Sequence, residues 1–406
     1  MDLFKTLGSK VESAWREAGY DELAFPAIAA SALREARIHE QIGAEDVLRW
    51  LLTTDDLPPQ YDIDAEFGEP PISVYEGRRF FIQVLFWLTG STDVHRHRFS
   101  GAFLVLDGAS VQSRFTFHPR RRINARFLIG DVRLRDADVL RRGDVLEIDQ
   151  DLIHSVFHLD APSATVVVRT YTDPDRQPQL TYQLPSLAFD PFYAEPLMKR
   201  KLQGLALMLR SGRRDYDERA REILAGSDPW TCYVVLDQAF RHLGEPERIA
   251  SLVEAAEERH GELASEIAAS LRAELRRRKL HRLRADVRDP EQRLFLALLQ
   301  NLPDRSSMFA AVKRHVPGEE PRERVLRWVY SLSGVDRIGV DFDDECNRLL
   351  FEALLDGLPP DDVLARLATE YGAEEVAAQA GAIRRQCERM RQTALAPLLR
   401  GGAEGA

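Results

Sequence analysis

The residue composition and the spacing of apolar residues change twice along the chain, and these changes constrain the fold more than any other feature. Between about residues 71 and 185, short runs rich in β-branched and aromatic residues, such as ISVYE, GAFLVL and ATVVVRTYT, are separated by Gly, Asp and Pro. Many short strands at regular spacing are typical of a β-sandwich or a β-barrel. The flanking stretches are rich in Ala, Leu, Arg and Glu, with apolar residues at helical spacing.

These sequence patterns predict an α+β chain of three parts. Residues 1–60 are expected to form an N-terminal helical segment, and residues 61–185 a β-barrel. Residues 186–406 are expected to form a large all-α domain. The paired prolines of DDLPPQYDIDAEFGEPP break the helical pattern before the barrel. A chain of 406 residues is long enough for two or three domains.

Composition indicates which kinds of partner the chain can bind and which cellular compartment suits it. The net charge is −10, from 55 Lys and Arg against 65 Asp and Glu, and gives no support for nucleic-acid binding. No apolar stretch approaches the roughly 20 residues of a membrane helix. The three cysteines, Cys232, Cys346 and Cys387, lie far apart and form no C-x-x-C pair. We therefore expect a protein of the reducing cytoplasm that binds neither nucleic acid nor membranes.

A pair of histidines in the β region, His95 and His97, is the first candidate for chemistry. Residues two apart on a strand point to the same face, so both imidazoles aim together and can each offer a nitrogen to one metal ion. An H-x-H pair alone is weak evidence, because two polar residues on an exposed strand have the same spacing.

Further residues give this stretch a resemblance to the cupin superfamily, whose members fold as jelly-roll barrels. The first cupin motif has H-x-H, then usually Glu, then Gly after six more residues. His95, His97 and Gly108 match it, and Gly101 stands where the Glu would be. The resemblance covers roughly residues 70–185 and neither helical part.

The second cupin motif supplies a third histidine. It begins with Gly-Asp and ends with His eleven residues after the Gly, and Gly143 and His154 fit this spacing. Asp149 and Asp151 replace the usual Pro and Gly of the motif, although Asp also serves turns. The resemblance thus implies that His95, His97 and His154 bind a metal ion.

The absence of the Glu makes the chain similar to the three-histidine, cysteine dioxygenase-like branch of thiol dioxygenases. That branch places a tyrosine 17 residues after its third histidine, which is Tyr171 here. In that branch the tyrosine ends a Ser-x-His-x-Tyr pattern, and here Val167 and Arg169 occupy the Ser and His positions. The stretch PPISVYEG lacks the arginine that binds an amino-acid carboxylate in the family. The resemblance therefore implies the metal chemistry rather than the substrate.

Three neutral imidazoles leave the full +2 charge of an ion and open coordination positions for a substrate anion and dioxygen. With zinc, the same ligands would instead activate a water. The resemblance favours Fe(II), while Zn, Mn or Ni can use the same ligands. The alternative is that the three histidines are ordinary side chains of a cupin that has lost its metal.

Two further residues are predicted to act in the pocket. Tyr171 is expected to direct its hydroxyl towards the metal, and strand alternation places Arg169 on the same wall, where it can bind a carboxylate. Plain packing of the tyrosine and a structural ion pair of the arginine are the competing interpretations.

The sequence thus leaves two functional hypotheses. In the first, the chain is a metal-dependent, thiol-dioxygenase-like oxidoreductase, acting on a small polar or sulfur-bearing molecule or a peptide. In the second, it is a non-catalytic metal- or ligand-binding cupin, a scaffold or sensor whose helical domain binds a partner protein. The roughly 220-residue helical region favours the second hypothesis, but helices that close the barrel would also serve catalysis.

Overall fold

A computed structural model describes residues 2–61, 63, 68–88, 92–172, 178–334 and 337–401. By spatial contacts the chain forms two compact units, Met1–Leu275 and Arg276–Ala406. The first contains all the described strands of the barrel. The domain boundaries near residues 60 and 185 were inferred from sequence patterns, and they stay a prediction.

Eleven strands occur between residues 71 and 189 of the described chain. They are β1 (Pro71–Glu76), β2 (Phe80–Trp87), β3 (His95–Arg96), β4 (Gly101–Asp107), β5 (Ala109–Asn124), β6 (Phe127–Arg141), β7 (Val145–Ile148), β8 (Ile153–His158), β9 (Ser163–Thr170), β10 (Thr181–Gln183) and β11 (Leu187–Phe189). The last strand lies beyond the predicted end of the barrel at residue 185, because it pairs with β6.

The strands pair in a nested order that defines a jelly roll. β2 pairs with β9, β3 with β8, β4 with β7, and β5 with β6, all antiparallel. One sheet has the order β1-β2-β9-β4-β7, and the other strands close in the order β10-β11-β6-β5-β8-β3. Strands early in this series pair with strands late in it, and the middle two pair with each other. This nested pairing is the double Greek key of jelly rolls. The predicted fold class, an α+β chain with a jelly-roll barrel flanked by helices, is confirmed.

Alternation along β2, β4 and β9 gives the five-stranded sheet two apolar faces. One set of side chains, including Leu85, Phe103 and Val167, points into the barrel. The intervening set, including Val84 and Val166, belongs to a second core on the outer face of the sheet. Burial on both faces explains why these strands read as nearly continuous apolar runs.

The N-terminal helices cover this outer face. They are α1 (Asp2–Glu17), α2 (Phe25–Ala36), α3 (Ile38–Gln41) and α4 (Ala44–Thr53). Spacing of three and four residues places Phe4, Leu7, Val11 and Trp15 on one stripe of α1, and all four are buried in the core they share with the sheet. The expectation that at least one helical segment packs against the barrel is therefore confirmed.

Helices after the barrel pack on its other side. They are α5 (Pro196–Arg210), α6 (Tyr216–Ala225), α7 (Pro229–His242), α8 (Pro246–His260) and α9 (Glu262–Asp286). Phe127 and Leu187, from β6 and β11, join their apolar core. Arg120 of β5 also pairs with Glu266 of α9 at 2.8 Å.

Among its described residues, the second unit is helical apart from an isolated bridge between Gly334 and Val340. Its helices are the end of α9, α10 (Pro290–Asn301), α11 (Arg305–His315), α12 (Pro321–Ser331), α13 (Glu345–Leu355), α14 (Pro360–Tyr371), α15 (Ala373–Arg391) and a 3₁₀ turn at Ala396–Leu399. Helix α10 is buried on all sides from Arg293 to Asn301. Among the described helices of the whole chain, none has the length and apolar character needed to cross a membrane.

Candidate metal centre

Two strands of the barrel bring three histidines together. His95 lies on β3, His97 follows two residues later, and His154 on β8 pairs directly with His95 across the ladder. Directly paired residues of an antiparallel ladder project to the same face, as do residues two apart on one strand. The local pairing of β3 with β8 thus places His154 beside His95, and His97 joins them from just beyond the end of β3.

The three imidazoles are close enough to share one ion. One nitrogen from each ring lies within 4.8 Å of the others, and His97 Nε2 is 2.9 Å from His154 Nε2. Ligand nitrogens at 90° to each other, with bonds of about 2.1 Å, are separated by about 3.0 Å. The predicted ligands are therefore brought together, and small rotations of the rings would complete a site for one ion.

Two of the rings have a hydrogen-bond partner on Nδ1, the nitrogen that would not bind the ion, and this partner orients the ring for metal binding. The Nδ1 of His95 lies 2.8 Å from the carbonyl oxygen of Asp93, so Nδ1 carries the proton and Nε2 keeps its lone pair. The Nδ1 of His154 lies 3.4 Å from the Nε2 of Gln112. A partner on the remote nitrogen is what fixes the tautomer of a metal-binding histidine.

Gln112 is a further sign that this donor set fits a metal ion. Its Oε1 is buried and has no hydrogen-bond partner among the described residues. Turning the amide by 180° lets Oε1 accept a hydrogen bond from His154 Nδ1–H, which satisfies both buried atoms and leaves the lone pair of His154 Nε2 for an ion.

Burial also keeps the three rings neutral. It lowers the pKa of His95 below its ordinary value and lowers those of His97 and His154 well below it. For His97, the positive charge of Arg169 and the proximity of two other ionisable rings, His95 and His154, lower the pKa further. Neutral imidazoles offer the lone pairs that a metal ion needs, so the site is ready for an ion at neutral pH.

The structure explains why no carboxylate joins the group at position 101. Gly101 pairs with Arg169 of β9 on one side and Ile148 of β7 on the other. A Cβ at Gly101 would lie 2.1 Å from the carbonyl oxygen of Val168 and 3.0 Å from the Cα of Arg169. No side chain fits there without moving backbone, so a fourth ligand cannot occupy this position.

The histidines open onto a small cavity of about 60 Å³ inside the barrel. Most of the surface that lines it is apolar, although only seven of its lining residues are apolar or aromatic: Leu85, Trp87, Phe99, Phe103, Ile148, Val156 and Val167. The described polar residues of the lining, apart from the three histidines, are Gln83, Thr92, His158, Thr165 and Arg169. A mostly apolar wall with a few polar groups is typical of a small-molecule site.

Arg169 lies on the wall of this cavity, as strand alternation predicts. Its Cζ is 3.8 Å from the ring centroid of Phe99 and 5.1 Å from that of Phe81. The Phe99 ring in turn lies 4.4 Å from the ring of His97. Cation–π contacts of this kind hold the guanidinium close to the candidate ligands.

Tyr171 is not brought to the same place. Its hydroxyl donates to the carbonyl oxygen of Gly77 at 2.9 Å, and its ring packs on Phe81 with centroids 5.0 Å apart. The described residues that line the cavity include Arg169 but not Tyr171. Burial raises the pKa of Tyr171, which also counts against proton transfer at neutral pH.

Several residues of the cavity were not singled out from the sequence as site residues. His158 stacks on Trp87 with centroids 4.6 Å apart, and its Nδ1 lies 2.9 Å from the Ser163 hydroxyl. The Nε1 of Trp87 donates to Thr165. The position of His158, four residues after His154 on one strand, was an available signal, because it places both rings on one face.

Comparison with known proteins adds structural likenesses only. No family model and no curated protein matches the chain. A cupin-2 domain protein of Shewanella frigidimarina is 12% identical over 32% of this chain and 94% of its own, with a TM-score of 0.20. Hydroquinone 1,2-dioxygenase of Sphingomonas sp. TTNP3 is 12% identical over 25% and 66%, with a TM-score of 0.21. The capsular polysaccharide assembling protein CapF of Staphylococcus aureus is 19% identical over 31% and 34%, with a TM-score of 0.21.

Proposed function

We propose that this chain is a cupin that binds a single metal ion through His95, His97 and His154 and uses it as an oxygenase. The carrying observation is the group of three neutral imidazoles at the wall of a small, mostly apolar cavity. Such a set fits Fe(II) chemistry, and Zn, Mn or Ni can occupy the same ligands. The cytoplasm, where its cysteines would stay reduced, is the proposed location.

The chain contributes positioning and exclusion of water to this reaction. Bound iron would supply the redox chemistry with dioxygen. Asp93 and Gln112 orient two of the ligand rings, and the apolar side chains of β2, β4 and β9 surround the space beside them. Exclusion of water from that space strengthens electrostatic interactions with a bound molecule.

The thiol-dioxygenase-like substrate, a small polar or sulfur-bearing molecule or a peptide, is a narrower part of the proposal. The three-histidine set without a carboxylate supports it. The arginine that binds the substrate carboxylate in that family has no counterpart in PPISVYEG, and the Tyr171 hydroxyl donates to the carbonyl oxygen of Gly77. We therefore do not assign Tyr171 a role in the reaction, and the substrate need not be an amino acid.

A non-catalytic scaffold is the second candidate function. Helix α5 exposes Leu197 and Leu207, each 62% accessible, on the helical part that follows the barrel. Exposed apolar residues on one helix are suited to a protein partner. In this case the barrel would bind an ion or a small ligand without turnover.

Metal content and oxygen uptake separate these two functions. We expect the purified protein to bind about one equivalent of iron after anaerobic loading, and to consume dioxygen with one member of a panel of small thiols and carboxylates. His154→Ala should lose the ion, because two imidazoles hold a divalent ion poorly. His118→Ala, at an exposed position on β5, is the matched control and should keep it.

Failure of the wild-type protein to retain any tested metal would reject the metal centre. Retention of metal without oxygen uptake for any compound of the panel would favour the scaffold.

A further inference from the structure

The cavity beside the histidines has a closed end and a more open end. Thirteen of the described residues that line it are buried, whereas His97 and Arg169 are partly exposed. His158 lies four residues beyond His154 on β8, and its ring stacks on Trp87 with centroids 4.6 Å apart. A ligand would therefore enter beside His97 and direct its far end towards the stacked pair.

The space between these two ends is small. Its volume is about 60 Å³, which is room for about two to five water-sized groups. A molecule with a few non-hydrogen atoms fills such a space. A peptide chain, with its backbone and side chains, is too large to enter it.

Polar groups on the wall already have partners within the protein. The Nε1 of Trp87 donates to Thr165 Oγ1 at 3.2 Å, and the backbone N–H of Val156 donates to Thr92 Oγ1 at 2.8 Å. Among the described residues of the lining, none is Asp or Glu. A hydroxyl group of a ligand that is buried here without a partner would cost about 1–3 kcal/mol.

Apolar side chains form the wall that the five-stranded sheet contributes. Leu85 of β2 and Val167 of β9 belong to the core inside the barrel, together with Phe103 of β4. Their neighbours along the strands, Val84 and Val166, belong instead to the core on the outer face of the sheet. Each methylene group of a ligand buried against this inner wall would contribute about 0.8 kcal/mol.

We infer that the cavity takes a short aliphatic molecule, which binds the ion through one donor group and buries an apolar body against Leu85 and Val167. This inference rests on the proposed function for the ion. Within that function it selects a sulfur-bearing molecule with an apolar body over a polar one or a peptide. The size and apolar character of the wall belong to the metal-free chain as well.

Titration of the cobalt(II)-loaded, full-length protein with three thiols tests the inference, with the visible absorption of the ion as the readout. Ethanethiol is the compact apolar probe, 2-mercaptoethanol adds one hydroxyl group, and 1-pentanethiol adds length. We expect ethanethiol to bind about tenfold or more tightly than 2-mercaptoethanol, because the added hydroxyl is buried without a partner. It should exceed 1-pentanethiol by a similar factor, since the longer chain overfills the space.

Three variants separate the cavity from the stability of the barrel. Leu85→Ala enlarges the cavity and should raise the affinity for 1-pentanethiol about tenfold relative to ethanethiol. Val167→Ala removes fewer atoms, should act in the same direction by less, and serves if Leu85→Ala fails to fold. Val166→Ala is the matched control, because it removes the same atoms from the outer face of the same strand. It should leave the order of the three thiols unchanged.

Xenon binding to the metal-free protein provides a readout that needs no ion. Dry apolar cavities bind xenon, whereas polar, hydrated ones do not. We expect xenon to shift the methyl resonances of Leu85 and Val167 in nuclear magnetic resonance spectra. The resonances of Val84 and Val166, on the other face of the same strands, should shift less.

The inference would be overturned if the metal-loaded protein bound no ethanethiol, or bound 2-mercaptoethanol or 1-pentanethiol as tightly. A change in the order of the thiols by Val166→Ala equal to that by Val167→Ala would also overturn it. Failure to retain any metal would instead reject the proposed metal centre. In that case xenon shifts at Leu85 and Val167 would still support a small apolar cavity, and their absence would overturn it.

Discussion

Gly101→Ala tests how tightly the barrel is closed beside the metal ligands. The added Cβ would lie 2.1 Å from the carbonyl oxygen of Val168, whereas ordinary contacts of this kind exceed about 3.4 Å. The obstacle is backbone rather than the end of a flexible side chain. Strands β4 and β9 must therefore separate by about 1 Å to admit one methyl group.

This separation also affects two neighbouring hydrogen bonds. Thr170 N donates to Ser100 O at 2.9 Å, and Ser100 N donates to Thr170 Oγ1 at 3.1 Å. Each is worth about 1 kcal/mol, and overpacking of a core costs about 1–3 kcal/mol. With both bonds lost, we expect Gly101→Ala to lower the free energy of unfolding by about 3–5 kcal/mol.

Urea unfolding of the metal-free protein measures this change. Gly204→Ala is the matched control, because Gly204 lies in helix α5 of the same unit and a Cβ there meets nothing within 4 Å. An alanine in an exposed helix should stabilise the chain by up to about 1 kcal/mol. If Gly101→Ala were as stable as wild type, β4 and β9 would not be as close as we describe. A Gly101→Glu protein that bound metal more tightly would likewise refute the steric explanation for the missing fourth ligand.

Three further predictions concern single side chains. Gln112→Leu should weaken metal binding about 10–100-fold, measured by competition with a chelator, because His154 loses the partner of its Nδ1; an unchanged affinity would show that Gln112 does not orient the ring. Tyr171→Phe should leave metal content and oxygen uptake unchanged and cost about 1 kcal/mol of stability, since its hydroxyl bonds to Gly77; a 10²–10⁴-fold loss of turnover would instead restore the role in proton transfer that the sequence suggested. Burial raises the pKa of the Cys232 thiol to about 12, so at pH 8 it stays protonated and should not react with a disulfide reagent until the protein unfolds; rapid labelling of the native protein would contradict its burial.

The grouping of the three histidines could be predicted in part from the periodicity of strands. His95 and His97 were expected to share a face as residues two apart on one strand, and the resemblance supplied His154. β3 ends at Arg96, yet the His97 ring still lies beside His154. Alternation within β9 also predicts that Arg169 faces the barrel interior, and its side chain lines the cavity there. Tyr171 was expected beside it, but β9 ends at Thr170. Beyond the end of a strand, alternation no longer fixes the direction of a side chain.

Other parts of the site depend on pairing between distant strands. Gln112 meets His154 because β5 pairs with β8, and Trp87 reaches His158 because β2 pairs with β9 next to the turn that follows β8. A single sequence does not contain these registers. The steric role of Gly101 was likewise hidden, because it arises from the close approach of β9 rather than from the glycine's own conformation.

The nested pairing of the strands also implies an order of folding. β5 and β6 form a long hairpin of neighbouring strands, whereas β3 and β8, which carry the histidines, meet only across that hairpin. Closing the shorter loop first reduces the entropic cost of each later pairing. His95 and His97 precede His154 in the chain and are made first during synthesis, and we expect the group of three histidines to form after the hairpin. A metal ion would then be acquired by a nearly finished barrel, and would stabilise the final closure without guiding the first steps.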